Sequence, residues 1–339
     1  MRIHLIPETP ISGPPWACAE IRLLRPYQHP LMQRHIQVST GPRLPVDRVD
    51  AVVVQRTLTS DATLNDAIML LHDTRHRDIR LIYDLDDDLL SPHPTPAVEQ
   101  NIMPSRSRVR LLLREADAVI VSTAPLANRV RHLNPSVFIW PNAIDERLAS
   151  ETKPTDDEGA DIGYFGTMSH LSDLLSVLES MEEAMSNLPE RPEMELCGIS
   201  GDPRLSDLFA AQCDVRLLPV NGHYAAFQAR LQQHTHWKTG LAPLADELFN
   251  HCKSDIKFLD YALAGIPGVY ADCLAYGSVL DGETGLKAAP NGFGIAVRRL
   301  LEDHDLRRHI RTNARRHVME HRTLHQCVPA LLDIVKQIL

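Results

Sequence analysis

Short apolar runs rich in valine and isoleucine recur along the chain and alternate with longer amphipathic stretches. Strands that alternate with helices form parallel sheets, and helices cover both faces of such sheets. The pattern therefore predicts an α/β fold. The runs that we predict as strands are Ile3–Ile6, His35–Ser39, Ala51–Val54, Arg80–Tyr83, Ala118–Val121, Val137–Trp140, Asp161–Phe165, Met194–Cys197, Val215–Pro219, Thr239–Ala242, Gly268–Ala271 and Gly285–Ala288.

The length of the chain and the number of predicted strands indicate two doubly wound domains. The 339 residues exceed the roughly 100–200 residues of a usual domain. The segment 142–160 is polar and acidic and contains proline and glycine, as expected near a linker. We expect an N-terminal domain over 1–145, a linker over 146–160 and a C-terminal domain over 161–322. A terminal helix over 323–339 is expected to pack back on the N-terminal domain.

The composition argues against several classes of protein. A formal net charge of −9 at pH 7 disfavours nucleic-acid binding, which requires a basic surface. The six cysteines are widely scattered and suit reduced thiols, so we expect a cytoplasmic protein. No histidine or cysteine cluster has the spacing of a metal site, and we expect neither a metal nor another cofactor.

The segment Leu241–Asp272 holds the strongest candidate site. It predicts a strand that ends near Pro243, then a polar loop, and then a helix from about Lys253 to a glycine cap at Gly265. Open α/β sheets bind ligands beyond the carboxyl ends of their strands, where this helix begins. The start of the helix is therefore a candidate binding site.

Three charged residues of this predicted helix have the spacing of one face. Lys253, Lys257 and Asp260 stand at i, i+4 and i+7, which spans roughly 10 Å and matches the reach from a diphosphate to the far edge of its ribose. A diphosphate would bind Lys253, the Ser254 hydroxyl and the first backbone N–H groups of the helix. Asp260 would accept hydrogen bonds from the ribose hydroxyls. The alternative is that Lys257 and Asp260 form a surface ion pair.

The same segment carries the motif Phe-Asn-x-x-Lys-Ser-x-x-Lys at positions 249–257. With this motif the chain resembles the retaining GT-B glycosyltransferases of family 4, and more narrowly a branch that serves bacterial polysaccharide biosynthesis. Segments along nearly the whole chain resemble the family in the same order: 116–122, 141–145, 162–174, 281–286 and 306–321. The resemblance implies two Rossmann-like domains facing across a cleft, with the acceptor on the first and the nucleotide sugar on the second.

Carried over position by position, the resemblance assigns donor-binding roles to Asn250, Lys253, Ser254 and Lys257. In the family, two glutamates separated by seven residues precede an Ala-x-Gly-x-Pro turn. Asp260 stands where the second glutamate holds the ribose, whereas Cys252 replaces the first, which contacts the transferred sugar. The arginine and lysine that often follow the glycine turn of the second domain are also missing. Lys253 and Lys257 would then carry the phosphate charge, with Lys253 as a candidate catalytic residue.

Two glycine turns are further candidates for the donor site. Gly166 follows the first predicted strand of the second domain and permits close backbone approach, while Thr167 can bond a phosphate oxygen. His170 stands nearby, and the alternative is an ordinary tight turn with a solvated histidine. In the first domain, the loop around Gly13 takes the place of the family's glycine loop near the donor phosphates, or else is a proline-stiffened connection.

An acidic segment follows the fourth predicted strand, with carboxylates at positions 84, 86, 87 and 88. Asp84 and Asp86 are candidate catalytic residues through contact with the acceptor or the reacting groups. The Asp-x-Asp spacing also occurs in metal motifs, and acidic turns of this kind also cap helices. Arg56, after the third strand, would either meet an anionic ligand or pair with the acidic segment.

The sequence therefore favours a glycosyltransferase that moves a hexose or deoxyhexose from a nucleotide-diphosphate donor to a hydroxyl of a bacterial glycan. Backbone N–H dipoles and Lys253 would stabilise the leaving diphosphate without a metal, and the resemblance implies retention of configuration. A non-catalytic sugar-nucleotide-binding or scaffold protein and a sugar-nucleotide epimerase stay open as alternatives.

The expected partners are the nucleotide sugar and an acceptor, which could be a glycan, a lipid-linked saccharide or another hydroxyl compound. A lipid-linked acceptor would place the protein at the inner face of a membrane. Peripheral membrane contact is a further expectation, based on the basic residues Arg22, Arg25, Arg34, Arg43 and Arg48.

Overall fold

The computed structural model describes residues 1–150, 159–186, 188–199, 204–219, 223–234 and 237–339. Within these ranges, twelve strands form two parallel sheets of six strands each. The predicted α/β fold with two doubly wound sheets is confirmed. Residues 151–158 of the expected linker lie outside the described part of the chain.

All twelve predicted runs overlap strands of the structure, and their bounds differ by two residues or fewer. The agreement has a physical reason, because strands buried on both faces are continuous apolar runs. The strands are β1 Arg2–Ile6, β2 Gln37–Thr40, β3 Ala51–Gln55, β4 Arg80–Leu85, β5 Ala118–Val121, β6 Val137–Ile139, β7 Ile162–Phe165, β8 Glu193–Cys197, β9 Asp214–Leu218, β10 Thr239–Ala242, β11 Gly268–Ala271 and β12 Leu286–Ala288.

The order of the strands places a switch point in each sheet. The first sheet has the order β2-β1-β3-β4-β5-β6, and the second has the order β12-β11-β10-β7-β8-β9. In the first sheet, β2 lies on one side of β1 and strands β3 to β6 lie on the other side. In the second sheet, β8 and β9 lie on one side of β7 and strands β10 to β12 lie on the other side. A crevice opens beyond the carboxyl ends of the strands at such a point, and ligands bind there.

Helices cover both faces of each sheet. The α-helices are α1 Ala17–Ala19, α2 Arg25–Tyr27, α3 Pro30–Gln33, α4 Leu64–His76, α5 Pro96–Ile102, α6 Arg106–Glu115, α7 Ala124–Val130, α8 Leu171–Leu175, α9 Leu178–Met185, α10 Arg204–Phe209, α11 Tyr224–His234, α12 Ile256–Ala264, α13 Phe293–Glu302, α14 His304–His321 and α15 Leu324–Ile338. A π-helical turn, Glu20–Leu24, joins α1 to α2.

The last helix packs on the first sheet. Apolar residues of α15, among them Val328 and Leu331, belong to the cluster that covers one face of that sheet. The indole Nε1 of Trp140 donates a hydrogen bond to the carbonyl of Cys327 at 3.0 Å. Where the chain passes between the domains, the Leu324 N–H donates to the carbonyl of Ile144 at 2.8 Å. The outgoing and returning segments are therefore hydrogen-bonded side by side.

None of the described helices is long and apolar enough to cross a membrane. Two of the basic residues on which the expected membrane contact rested form ion pairs within the protein. Arg22 is 1% exposed, and Arg25 pairs with Glu20 and Asp145, each at 2.9 Å. Peripheral membrane contact therefore stays a prediction.

Candidate active site

A cavity of about 200 Å³ lies between the two sheets. Its lining residues follow the carboxyl ends of β1, β4 and β6 in the first sheet and of β7, β10 and β11 in the second, as expected for a ligand site in open α/β sheets. Both domains therefore contribute to one cavity. The lining residues are Cys18, Ile21, Asp86, Asp87, Asn142, His170, Leu244, Lys253, Ser254, Ile256, Lys257 and Tyr276.

Helix α12 begins three residues later than predicted. A 3₁₀ turn, Asn250–Cys252, comes first, and Lys253 then has extended backbone with φ −61° and ψ 153°. The helix starts at Ile256 and ends at the predicted left-handed glycine cap, Gly265. Lys253 therefore does not share a helical face with Asp260. The extended backbone instead carries Lys253 towards the opposite wall of the cavity.

The ammonium of Lys253 pairs with a carboxylate of the other domain. Its Nζ lies 3.0 Å from Oδ1 of Asp87, and both side chains are less than one-fifth exposed. Burial works to raise the pKa of Asp87, but the charges of Lys253 and Arg56 outweigh burial and hold the pKa well below its usual range. Asp87 is therefore a carboxylate across the neutral range, and it occupies the anion position beside Lys253.

Lys257 is buried at 6% exposure, and its Nζ donates to the Tyr164 hydroxyl at 3.0 Å. Burial lowers the pKa of Lys257 to about 7. Gly166 makes this arrangement possible, because a β-carbon there would lie 2.6 Å from the Tyr164 hydroxyl oxygen. The structure thus gives Gly166 a supporting role behind Lys257.

Asp260 lies one turn deeper on α12, at 3% exposure. Its Oδ1 accepts hydrogen bonds from the Tyr224 hydroxyl at 2.6 Å and from Nε2 of Gln228 at 2.5 Å. Burial raises the pKa of Asp260 to about 7. Because Lys257 and Asp260 are both buried, the alternative of a surface ion pair between them is wrong.

His170 and Asn250 meet at a buried carboxylate, Asp173. Nδ1 of His170 lies 2.8 Å from Asp173 Oδ2, and Nδ2 of Asn250 donates to Oδ1 at 2.7 Å. Burial, together with the charges of Lys257 and Lys253, lowers the pKa of His170 to about 4. The imidazole is therefore neutral at pH 7. Because Asp173 accepts at Nδ1, the free Nε2 atom of His170 can accept a hydrogen bond from a ligand hydroxyl.

Ser254 stands between Lys253 and the start of α12. Its Oγ accepts a hydrogen bond from Nδ2 of Asn142 at 2.8 Å, which leaves the hydroxyl proton for a ligand oxygen. The next residue, Asp255, would repel an anion, but Arg322 binds both of its carboxylate oxygens at 2.6 and 2.9 Å. The start of the helix is thus free of uncompensated negative charge.

The first carboxylate of the acidic segment, Asp84, lies behind the cavity wall. Arg22 binds both of its oxygens, at 3.1 and 2.7 Å, and also donates to the carbonyl of Trp140 at 2.6 Å. Asp84 is 3% exposed, and burial raises its pKa although Arg22 opposes the shift. The predicted catalytic pair is therefore divided, because Asp86 lines the cavity and Asp84 does not.

Arg56 gathers the carboxylates of the first-domain wall. It contacts Glu8 at 2.8 Å, Asp86 at 2.6 Å and Asp87 at 3.0 Å. Arg56 was expected either to meet an anionic ligand or to pair with the acidic segment, and the structure shows the pairing. Among the described residues, no group of three or more histidine, cysteine or acidic side chains is arranged to hold a metal.

Three residues singled out in the sequence lie away from the cavity lining. Gly13, at φ +111°, lies in the exposed loop after β1, and the exposed Thr167 hydroxyl lies 2.6 Å from that of Ser169. The Cys252 side chain packs into an apolar cluster of the first domain. A glutamate at position 252 would not fit this apolar environment.

The structure brings together Asp86, His170, Lys253, Ser254 and Lys257 at the cavity, with Asn250, Gly166 and Asp260 behind them. Sequence reasoning missed Cys18, Asp87 and Asn142 as lining residues. Asn142 had a signal, because it belongs to the segment 141–145 that resembles the family. Asp87 also had a signal in the sequence, because it follows Asp86 in the acidic segment.

Two facing doubly wound domains with a ligand cavity between them define the GT-B fold, and comparison with solved structures agrees. HepE (Alr3699) of Anabaena, in a complex with UDP and glucose, matches with a TM-score of 0.69 and 15% identity over 99% of this chain and 100% of its own. Sucrose-phosphate synthase (tll1590) of Thermosynechococcus elongatus matches with a TM-score of 0.59 and 14% identity over 85% of this chain and 73% of its own.

Two structures of TarM, one of them described as from S. aureus, match with a TM-score of 0.60 and 12% identity over 84% of this chain and 54–55% of their own. TM-scores of 0.59 to 0.69 establish the shared fold, and identities of 12 to 15% limit the conclusion to the fold. Neither the family models nor the curated proteins searched gave a match to this chain.

Proposed function

We propose that this protein is a glycosyltransferase that moves a sugar from a nucleotide-diphosphate donor to an acceptor hydroxyl. One observation carries the proposal: Lys253, Ser254 and the start of α12 converge on the cavity between the two domains of a GT-B fold. A cationic side chain, a hydroxyl and free backbone N–H groups at a helix start are what a diphosphate requires.

The reaction depends on stabilising the leaving group. When the bond between the sugar and the diphosphate breaks, negative charge grows on the departing phosphate oxygen. Lys253 and the first N–H groups of α12 would meet that charge, and the Ser254 hydroxyl would donate to it, in a cleft that excludes much of the water. Since these groups supply the required positive potential, we propose a reaction that needs no metal.

The remaining predicted residues would hold the donor and acceptor. We propose that Asp260 accepts from the ribose hydroxyls, since both of its described bonds use Oδ1 and leave Oδ2 for a ligand. The neutral His170 would accept from a sugar hydroxyl through Nε2. Asp86 is the carboxylate that faces the acceptor side, and Asp84 keeps Arg22 in place behind it.

Finer features of the proposal rest on the family resemblance. It supports retention of configuration, transfer of a hexose or deoxyhexose, and an acceptor on a bacterial glycan. UDP-glucose is the first donor to test, because HepE has been solved in a complex with it.

A non-catalytic sugar-nucleotide-binding protein is the second candidate, and Cys252 favours it. The family's sugar-contacting glutamate is replaced by a thiol that packs into the apolar core of the first domain. Such a chain would retain the phosphate-binding residues and lose a contact to the transferred sugar.

A panel of UDP-, GDP-, ADP- and dTDP-sugars, offered with and without saccharide acceptors, tests the proposal. We expect one donor to bind and to release its nucleotide when an acceptor is present. Binding without release favours the non-catalytic candidate, and an isomerised donor sugar favours an epimerase.

The variant Lys253→Ala should weaken binding of that donor at least about tenfold, since a charge-assisted contact contributes about 1.5–3 kcal/mol. Lys287→Ala is the matched control, because Lys287 also forms an ion pair in the second domain, with Asp272 at 2.8 Å, but does not line the cavity. Equal donor affinity in both variants would contradict the proposal.

A further inference from the structure

The ion pair between Lys253 and Asp87 joins opposite walls of the cavity. The two atoms lie 3.0 Å apart, and two more hydrogen bonds cross the cleft nearby. Asn142 donates to Ser254 at 2.8 Å, and the Thr123 hydroxyl donates to the carbonyl of Cys252 at 2.9 Å. The lysine assigned to the diphosphate is therefore already bound to an anion of the protein itself.

The space between the walls is small for a nucleotide sugar. The cavity measures about 200 Å³, whereas sites for ligands of this size occupy about 300–1,000 Å³. A wider separation of the walls would make room for a donor, and it would break the contact between Lys253 and Asp87. An entering phosphate would then occupy the position that the carboxylate has left.

Asp87 has a second cation that remains with it. Its Oδ2 lies 3.0 Å from Nη1 of Arg56, and Arg56 belongs to the same domain as Asp87. Loss of the contact with Lys253 therefore does not leave a buried carboxylate without a counter-ion, which would be costly. Asp87 can pair with both Lys253 and Arg56, or with Arg56 alone.

We infer that Asp87 is an internal competitor of the diphosphate for Lys253, and that it sets the affinity of the site for donor and nucleotide product. This inference rests on the proposed function and adds a residue that the family motif does not include. A ligand must displace the Asp87 carboxylate in order to reach Lys253. When the nucleotide leaves, Asp87 returns to Lys253 and favours release of the product.

The test must separate competition at Lys253 from a general effect of negative charge near the site. Asp86 provides the matched control, because it also lines the cavity and also pairs with Arg56, at 2.6 Å. Its neighbour Asp87 is the one that pairs with Lys253. Asp86→Asn and Asp87→Asn remove the same charge from adjacent positions.

Isothermal titration calorimetry with UDP, inorganic pyrophosphate and uridine should be performed on the full chain and its variants. We expect Asp87→Asn to tighten binding of UDP and pyrophosphate about fivefold or more, within the range of a partly buried ion pair. Asp86→Asn should change either affinity less than twofold. Uridine carries no phosphate, and its affinity should be the same in the two variants. Asp87→Ala provides a second variant that lacks the carboxylate.

A double variant identifies Lys253 as the point of competition. In the Lys253→Ala background, Asp87→Asn should no longer tighten binding, because the cation for which the two anions compete is gone. A tightening that persists there, or an equal gain from Asp86→Asn, would overturn the inference. Weaker UDP binding in both Asp87 variants would also overturn it.

Failure of the proposed function gives a different result. In that case no nucleoside diphosphate or pyrophosphate binds the unsubstituted protein in a manner that depends on Lys253. Lys253-dependent binding without a specific gain from Asp87→Asn leaves the proposed function standing and rejects the competitor.

Discussion

The two walls of the cleft bury charged groups in different ways. In the first domain, Asp84 is held at two points by Arg22, and Asp86 is paired with Arg56. In the second domain, within the described part of the chain, Lys257 and Asp260 have neutral hydrogen-bond partners. The pKa of each of these two residues lies at about 7 as a consequence of burial.

We interpret the paired groups of the first wall as support for the structure, and Lys257 and Asp260 as the proposed ligand-binding groups. A buried carboxylate with a two-point arginine partner has its charge compensated inside the protein. A buried lysine whose hydrogen-bond partner is a neutral hydroxyl is costly, and such costs are found at functional sites, where a ligand can supply further negative charge. Removal of a charged side chain should therefore lower stability on the first wall and raise it on the second.

The largest effect is expected for Arg22→Ala. It leaves Asp84 buried without its counter-ion, so the free energy of unfolding should fall by about 3–5 kcal/mol. Urea denaturation measures the change. The control is Arg80→Ala, which removes an exposed pair with Asp117 and should cost less than about 1 kcal/mol. Equal decreases in the free energy of unfolding of the two variants would contradict the structural role assigned to Arg22 and Asp84.

Gly166→Ala should disturb Tyr164, the residue of the second wall whose hydroxyl accepts a hydrogen bond from Lys257. The new β-carbon would lie 2.6 Å from the Tyr164 hydroxyl oxygen, so Tyr164 must move, at about 1–3 kcal/mol of stability. UDP-glucose affinity should fall as well, since Tyr164 holds Lys257. At Gly292 an added β-carbon meets no atom within 4 Å, and Gly292→Ala should cost less than about 1 kcal/mol and leave binding unchanged.

Lys257→Met should stabilise the protein and weaken donor binding at the same time. Removal of a buried ammonium should raise the free energy of unfolding at pH 7 by about 1–3 kcal/mol. Titration with UDP-glucose measures the accompanying loss of affinity. Lys287→Met, at a pair with the exposed Asp272, should change neither quantity by a comparable amount. A destabilised Lys257→Met would mean that this lysine supports the fold.

The smallest effect is expected for the pH dependence of donor affinity. Burial lowers the pKa of Lys257 to about 7, so its positive charge is lost as the pH rises through this value. Affinity for UDP-glucose, whose diphosphate does not titrate between pH 6 and 8.5, should therefore fall by up to about tenfold per pH unit above the pKa. The same titration of Lys257→Met should be flatter. A wild-type affinity that stays constant over this range would show that Lys257 does not meet the phosphate.

The fold and the local motif could be predicted from the sequence because both depend on short-range patterns. Continuous apolar runs identify the strands, and the segment that we propose to bind the phosphate is a contiguous stretch, Asn250–Lys257. The pattern gave the wrong start for α12, because the 3₁₀ turn Asn250–Cys252 packs Cys252 into the first domain. That contact is long-range, and no local propensity reports it.

The sequence by itself determined two parallel sheets, their alternating helices and the residue types available for a diphosphate. Tertiary structure alone decided which of those residues face the cavity and what they meet there. Asp84 and Asp86 are two residues apart, yet one is enclosed by Arg22 and the other borders the cleft. The reason is physical: burial and charge compensation depend on groups brought from distant parts of the chain, such as Asp87 beside Lys253.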